Sequence, residues 1–501
     1  MLVIISDLHM TDGTSGPSLD GGVFQLFTER LHDLALRASW RTDGSYRPIE
    51  QLDLLLLGDV FDLVNSNRWL QSSVRPWHDT ASQPFIETVS TVVDDIVTHN
   101  RTAISALRAI AMDDVVQLPQ ANRAGEPVYE SEPQPISVRT FYMVGNQDWP
   151  LHLPGPRYDV IRQRVAHRLG LTSVHNAPFP HDPHESDELL AVLRRHRVLA
   201  RHGDVFDPLN FAEDRDCSSL GDALQIELVN RFVLAVSEQV GSELPQDVAA
   251  GLMDISQVRP LLLIPVWLEA LLERSTLRPA TRKQIKRLWD RLAEDFLQLP
   301  MVREQSACSP FDLKDGLERA LKFSKHVSLG WAEKITAWLH SLRGSDVDSY
   351  CQHALLEPDY RNRRARHIVY GHTHAAETQP LDASYADGFV LNQAYFNAGT
   401  WRRVYRQTRW SAGRHEFVPH QVMTYLAFFL NDERSGRSFE TWSGSLAVES
   451  MPLAAFRIDA EKSQRVAEPT VADATKAPLR PPHFSQSAAA LRRPGSQRRG
   501  A

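Results

Sequence analysis

The chain has 501 residues, 42% of them hydrophobic and 23% charged, with a formal net charge of −7 and a pI near 6.3. That length holds the core of two or three domains or of one enlarged domain, the composition is that of a soluble globular protein, and the acidic balance does not mark a nucleic-acid binder. The three cysteines, Cys217, Cys308 and Cys351, form neither a disulfide framework nor a cysteine-type zinc site, and are expected as buried free thiols in a reducing compartment. No basic and apolar leader opens the sequence. No apolar run approaches the roughly 18 residues needed to cross a bilayer; the longest, 261–272, contains Pro265 and Glu269. The expected location is the cytoplasm.

Residues 2–5 (L-V-I-I) read as a short apolar strand ending in Ser6-Asp7-Leu8-His9. A loop rich in Gly, Ser and Thr leads to an amphipathic helix over 23–38, with Phe24, Phe27, Leu31 and Leu34 at helical spacing. Residues 52–57 place four consecutive leucines before Gly58 and Asp59. Such a run is a strand buried on both faces, and Gly58 permits a tight turn at its end. Strand, loop, helix and strand together open an α/β layered domain.

Residues 65–83 are irregular and aromatic, and 85–112 read as one long helix or two. Residues 117–136 are rich in Pro and Gly and are expected as an exposed loop. A third strand, 138–144, ends in Gly145-Asn146-Gln147-Asp148, and a helix follows over 159–169. A short strand at 198–200 ends in Arg201-His202-Gly203-Asp204. From 214 to 366 helical periodicity dominates, with helices over 223–240, 258–273, 282–299, 313–325 and 331–342 and no strand signal. The strand 367–370 ends in Gly371-His372-Thr373-His374. Short β segments at 388–391, 394–396 and 404–407 follow, then a hairpin within 422–442. Beyond about 460 the composition turns to Ala, Pro, Ser and Arg, with no acidic residue after Asp473. That stretch buries too little apolar surface to order itself. Arg492, Arg493, Arg498 and Arg499 there can meet nucleic acid or an acidic surface, or can simply be solvated. The expected division is a scaffold over 1–213 and 367–459, an all-α insertion over 214–366 and a basic tail over 460–501.

Five groups share one arrangement, an apolar strand followed at once by Asp, Asn or His. They are Asp7-x-His9, Gly58-Asp59-x-x-Asp62, Gly145-Asn146-x-Asp148, His202-Gly203-Asp204 and Gly371-His372-x-His374. Strand ends on one rim of a sheet converge, and ligands of α/β proteins bind there. A carboxylate at that rim is costly to bury unless positive charge meets it. The candidate metal ligands are therefore Asp7, His9, Asp59, Asn146, His202, His372 and His374, with Asp59 shared between two ions. Mixed imidazole and carboxylate donors suit Mn, Fe, Zn or Co better than Ca or an all-oxygen Mg site. Two ions sharing a carboxylate, about 3.5–4 Å apart, can hold a bridging hydroxide and clamp a phosphate. Asp62, Asp148 and Asp204 read as groups that orient the ligands, with a helix-start or turn role equally open for Asp148 and Asp204.

In order, these motifs resemble those of the calcineurin-like metallophosphoesterases: S-D-L-H, L-G-D-V-F-D, V-G-N-Q-D, R-H-G-D and Y-G-H-T-H. The resemblance covers about 1–207 and 367–401, not the helical segment or the tail. It implies a four-layer α-β-β-α sandwich carrying a two-metal site. Asp7, His9, Asp59 and His374 would hold one ion, and Asp59, Asn146, His202 and His372 the other. Many members have His after the Gly-Asn pair as a proposed acid for the leaving group. Here Gln147 stands there, and an amide cannot protonate anything at neutral pH. The UDP-2,3-diacylglucosamine pyrophosphohydrolases look similar in this respect and carry a helical lid between the same motifs, though a smaller one. The Ser/Thr protein phosphatase pattern does not fit.

The expected function is a metal-dependent phosphoesterase with two divalent ions, Mn before Fe, Zn or Co. Its substrate is expected to be a phosphorylated small molecule or nucleotide with a phosphodiester or pyrophosphate bond. Asp59, Asn146, Asp62 and Asp148 are its candidate catalytic residues. The alternatives are a metal-dependent nuclease of DNA repair or defence, and a non-catalytic scaffold of the same fold. The helical segment, entering and leaving at the rim, reads as a cap over the site or as an outlying subdomain. The run 261–267 lines a pocket or is core. Arg201, Arg402 and Arg403 are placed to meet phosphate oxygens or to form ordinary ion pairs.

Overall fold

The computed structural model describes residues 1–172, 177–308, 350–386, 389–411 and 414–446. Its main strands are β1 (Leu2–Ile5), β2 (Gln51–Leu57), β3 (Ser137–Met143), β4 (Val198–Ala200), β5 (Val258–Arg259) and β6 (His367–Tyr370). They continue with β7 (Glu377–Ala386), β8 (Phe389–Asn397), β9 (Val404–Ser411), β10 (Arg414–His420), β11 (Val422–Phe428) and β12 (Phe439–Ser445). The chief helices are α1 (Gly21–Ala38), α2 (Gln83–His99), α3 (Arg101–Met112), α4 (Pro156–Leu169) and α5 (Asp187–Arg195). Through the helical segment run α6 (Arg231–Val240), α7 (Gln246–Met253), α8 (Ile264–Arg274), α9 (Pro279–Leu297) and α10 (Pro300–Cys308). The fold is mixed α/β with several mixed sheets.

The first sheet has the order β12-β11-β1-β2-β3, with β1, β2 and β3 parallel and β11 and β12 antiparallel. The second has the order β7-β8-β6-β4, with β8, β6 and β4 parallel. Register aligns the ends of the parallel strands: Ile5 pairs with Leu56, Leu57 with Met143, Val369 with Ala200 and Tyr370 with Asn397. Every motif loop therefore leaves from the carboxyl end of a parallel strand.

Alternation along the strands divides the core. Leu2, Ile4, Leu55, Leu57, Phe141 and Met143 share one hydrophobic cluster with Val198, Ala200, Val369 and Phe396 of the second sheet. Their neighbours Val3, Ile5, Leu54, Leu56 and Tyr142 join Phe24, Phe27 and Leu31 of α1 and residues of α2, α3 and α4. On the second sheet, Leu199, Ile368, Tyr370 and Tyr395 pack with Tyr350 and Ala354. Burying a leucine side chain contributes about 1.5–3 kcal/mol, so the fully buried 54–57 run anchors the rim that carries Asp59.

The helical segment has its own core, from Leu220 to Val302. It docks on the motif loops: Trp149 Nε1 donates to Asp222 Oδ2 at 3.1 Å, Gln225 Nε2 to Asn65 Oδ1 at 3.0 Å and Arg402 to Ser256 Oγ at 2.7 Å.

Several expectations differ from what is seen. The segment read as purely helical contains β5, which pairs in parallel with β9 in a third sheet, β10-β9-β5. Two residues are too short a run to show period-2 patterning. Helix 223–240 is interrupted by a π-helical stretch, Leu224–Asn230. Of the two readings of 85–112, the second is seen: two helices meet at Asn100. Residues 117–136 form two small ladders rather than a bare loop, and Leu118 is buried. The described residues of the segments expected at 388–391 and 394–396 belong to one strand, β8, while β7, β10 and α5 carry no sequence expectation. Cys217 is exposed and Cys351 half-buried, not buried as expected. The helices expected over 313–325 and 331–342, and the tail 460–501, lie outside the described residues. Among the described residues, no helix is long and apolar enough to cross a membrane.

Candidate metal centre

The seven candidate ligands meet at the shared rim. Asp7, His9 and His374 form one group, with ligand atoms within 4.8 Å of one another, and Asp59, His202 and His372 form a second. Asp59 joins the two: its Oδ2 lies 3.7 Å from His9 Nε2 and 3.2 Å from His202 Nε2. Asn146 joins the second group, its Oδ1 2.9 Å from His372 Nδ1. Asp7 Oδ1 lies 3.3 Å from His374 Nε2 and 3.6 Å from His9 Nε2. Each group draws on both sheets.

The backbone is bent to bring these side chains inward. Asp7, His9, Asp59, His372 and His374 all have left-handed φ, between 47° and 66°. They are five of the twelve such non-glycine residues among those described. Each costs on the order of 1–3 kcal/mol, and such strain clusters at functional sites. The glycine before Asn146 serves close approach rather than a turn. A Cβ on Gly145 would overlap Asp59 Oδ1 and lie 2.6 Å from His202 Cδ2. Gly58, at φ +77°, has both reasons, since a Cβ there would also fall on the His202 ring.

Around the ligands lies a ring of orienting contacts. His202 Nδ1 donates to the Leu57 carbonyl at 3.0 Å, which leaves Nε2 bare and facing the site. His372 Nε2 lies 3.2 Å from Asp207 Oδ2, leaving Nδ1 to face Asn146. His9 Nδ1 lies 3.6 Å from Asp62 Oδ1, and Asp62 Oδ2 accepts from Arg402 and Asn65, each at 3.1 Å. Asp148 belongs to neither ligand group. Its carboxylate accepts from Gly145 N at 2.6 Å, Val60 N at 2.9 Å and Tyr142 Oη–H at 2.6 Å, tying the Asp59 loop to the Asn146 loop. Asp204 pairs with Arg215, which donates to the Gly145 carbonyl at 3.2 Å. Arg402 is buried against Asp62 and Ser256, Arg403 pairs with Asp254, and Arg201 pairs with Asp182 and Glu357.

Neither a protein-family model nor a curated protein matches this chain.

The charge balance shows what the two groups lack. Asp62 and Asp204 are buried against arginines, which carry permanent charge. Among the described residues, the ion pairs of buried Asp7 and Asp59 are with imidazoles alone. Burial pushes the Asp7 carboxyl up, but His202, His374 and His9 outweigh it and hold it well below the usual range. Burial pushes His9 down, and Asp62, Asp7 and Asp59 carry it instead to about 9. Burial and the neighbouring Arg259 hold His374 well below its ordinary value. Burial and the Asp59 charge raise Asp148 to about 6. Asp7 Oδ1 and His202 Nε2 are buried without a hydrogen-bond partner. His9 and His374 point their Nε2 atoms at each other, 2.9 Å apart, where a cation or a shared proton reconciles the two lone pairs. An orphaned buried acceptor in each group, imidazoles mixed with carboxylates, and carboxylates whose ion pairs are with imidazoles alone all fit divalent metal ions.

Sequence reasoning missed Asp207 and Arg215. A signal for Asp207 exists: G-D-V-F-D occurs twice, at 58–62 and 203–207. The last Asp of the first copy faces His9 and that of the second faces His372.

Proposed function

We propose that this chain is a dinuclear metal-dependent phosphoesterase of the calcineurin-like kind, acting on a phosphodiester or pyrophosphate bond. The observation that carries this reading is the Asp59 carboxylate, set between two ligand groups at the shared rim of two sheets. The two sheets, their common core and the helices outside each support reading the fold as the α-β-β-α sandwich of that family. The contacts of the helical segment with the motif loops support reading it as a cap.

In this reading Asp7, His9, Asp59 and His374 hold one ion, and Asp59, Asn146, His202 and His372 the other. When bound, such a pair supplies Lewis-acid neutralisation of phosphoryl oxygens and lowers the pKa of a nucleophilic water. Manganese is the first choice, with iron, zinc or cobalt also suited to the donors. The residues of the chain prepare that chemistry. The Leu57 carbonyl and Asp207 fix which nitrogens of His202 and His372 face inward. Asp62, held by Arg402 and Asn65, orients His9. Asp148 sets the spacing of the Asp59 and Asn146 loops. The Gln147 backbone N–H donates to Asp59 Oδ1 at 2.8 Å, but its amide side chain cannot protonate a departing oxygen. The leaving group is therefore one of low proton affinity, such as a phosphate or nucleotide, or takes its proton from water.

Purified protein with Mn²⁺ is expected to hydrolyse bis-p-nitrophenyl phosphate, and Asp59→Asn to abolish that. No turnover of diester, monoester or pyrophosphate substrates with any divalent ion would refute the reading and favour a scaffold. Cleavage of DNA that co-purifies with the protein through repeated chromatography, without turnover of small substrates, would favour a nuclease.

A further inference from the structure

A second set of donors lies outside the Asp59 centre, on the segment that follows Asn146. A short 3-10 turn, Trp149–Leu151, ends at His152. His152 Nε2 lies 3.4 Å from His181 Nδ1 and 3.5 Å from Glu185 Oε2, and His181 Nδ1 lies 2.9 Å from Glu185 Oε1. On the far side of its ring, His152 Nδ1 meets Asp216 Oδ1 at 2.7 Å. Four side chains from three well-separated stretches thus meet, and none is used by the proposed phosphoesterase chemistry.

We propose that His152, His181 and Glu185 hold a further transition-metal ion of the zinc class. A tetrahedral site with bonds of about 2.0–2.1 Å has edges between ligand atoms of about 3.3–3.4 Å. The imidazole pair, at 3.4 Å, already matches such an edge, and Glu185 offers Oε2 at 3.5 Å from His152 Nε2 or Oε1 at 2.9 Å from His181 Nδ1, with one donor atom from each residue within 4.8 Å of the others. Asp216 fixes the tautomer of His152, keeping the proton on Nδ1 and baring Nε2, the usual arrangement of a metal-binding imidazole. Glu185 is also held in place. Its Oε2 accepts from the His181 N–H at 2.9 Å, and it closes a capping box with Asp182. Asp182 is engaged by His184 at 2.7 Å and Arg201 at 3.1 Å, so it is not the fourth donor. His181 and Glu185 are 25% and 36% exposed, which gives an ion its entry path. An ion here fastens the Asn146 loop, the 181–185 turn and, through Asp216, the start of the helical segment.

The test uses the full chain, stripped with a chelator and reloaded with Zn²⁺ or Co²⁺. In an Asp59→Asn background, which weakens the other centre, one tight Zn²⁺ equivalent is expected to remain. Adding His181→Ala is expected to weaken it about a hundredfold or more. Glu185→Gln keeps the capping geometry and is expected to do the same. Co²⁺ in the Asp59→Asn protein is expected to show the intense visible bands of a four-coordinate site, lost in both double variants. Unchanged zinc stoichiometry and an unchanged cobalt spectrum on adding either substitution would overturn the proposal, leaving a plain ion pair between His181 and Glu185.

Discussion

Gly145→Ala adds one methyl group where three ligand-bearing loops cross. The backbone of Gly145 is not left-handed, so the cost comes from contact alone. The added Cβ would overlap Asp59 Oδ1 and sit 2.6 Å from His202 Cδ2 and 2.7 Å from its Nε2. Ordinary contact begins near 3.4 Å, so the imidazole must retreat by about 0.8 Å from the Cδ2 position. Little can yield. Asp59 Oδ1 is held by Gln147 N, Gly145 N is held by Asp148, and His202 is held by Leu57. Overpacking of this kind costs about 1–3 kcal/mol. Metal sites tolerate only about 0.2 Å in ligand distance, so the larger effect falls on the ions. Calorimetric titration with Mn²⁺ is expected to show affinity at the Asp59 centre reduced by at least about a hundredfold. Urea unfolding of the metal-free protein is expected to show the smaller stability loss. Gly44→Ala is the control: its Cβ meets nothing within 4 Å, though its φ is +82°. It is expected to cost about 1–2 kcal/mol through backbone strain and to leave Mn²⁺ binding unchanged. Wild-type Mn²⁺ affinity in Gly145→Ala would refute the reasoning.

Other outcomes follow from the contacts around the centre. Arg402→Met takes the guanidinium from buried Asp62 and leaves it only the His9 imidazole, and is expected to destabilise the metal-free protein in urea unfolding by less than the roughly 3–5 kcal/mol of a fully unpaired buried charge. Asp62→Asn added to it is expected to restore part of that loss. Asp207→Ala frees the His372 ring and is expected to weaken Mn²⁺ binding by about 10–100-fold, read by calorimetry, with little change in thermal midpoint. Burial holds His196 and His367 down at about 3. Unfolding returns each to about 6.5, so the unfolded chain binds more protons between those values. Stability is therefore full above about pH 6.5 and falls as pH drops toward 3, by up to about 1.4 kcal/mol per pH unit for each imidazole. His367 sits among the rings of Phe396, Phe428 and Phe439, and His367→Phe is expected to shallow the slope of urea midpoint against pH between 6 and 4. An unchanged slope would count against a neutral buried His367.

The seven candidate ligands were legible because each stands just after an apolar strand, and parallel strands in register bring their ends to one rim. The leucines at 54–57 marked the central strand for the same reason. The supporting groups were harder to read. Asp207 lies on a 3-10 turn cap three residues past Asp204, where only the repeated G-D-V-F-D gives it away. Arg402 reads as one of three arginines near motif ends until Asp62 and Ser256 are seen on either side of it. The His152 group comes from turns with no periodicity, so nothing in the chain order joins 152, 181–185 and 216. β5 and the π-helical stretch are set by tertiary packing of the helical segment, and local pattern carries neither. Helix α5 was open to reading, with Ser186 as its cap and Leu189, Val192 and Leu193 on one face.

Because both groups of candidate ligands take donors from each sheet, the bound ions would act as rivets through a seam whose core is apolar. Chelation would then do more than silence turnover. It would let the two halves of the seam slip, so that melting temperature and resistance to proteolysis fall with metal content.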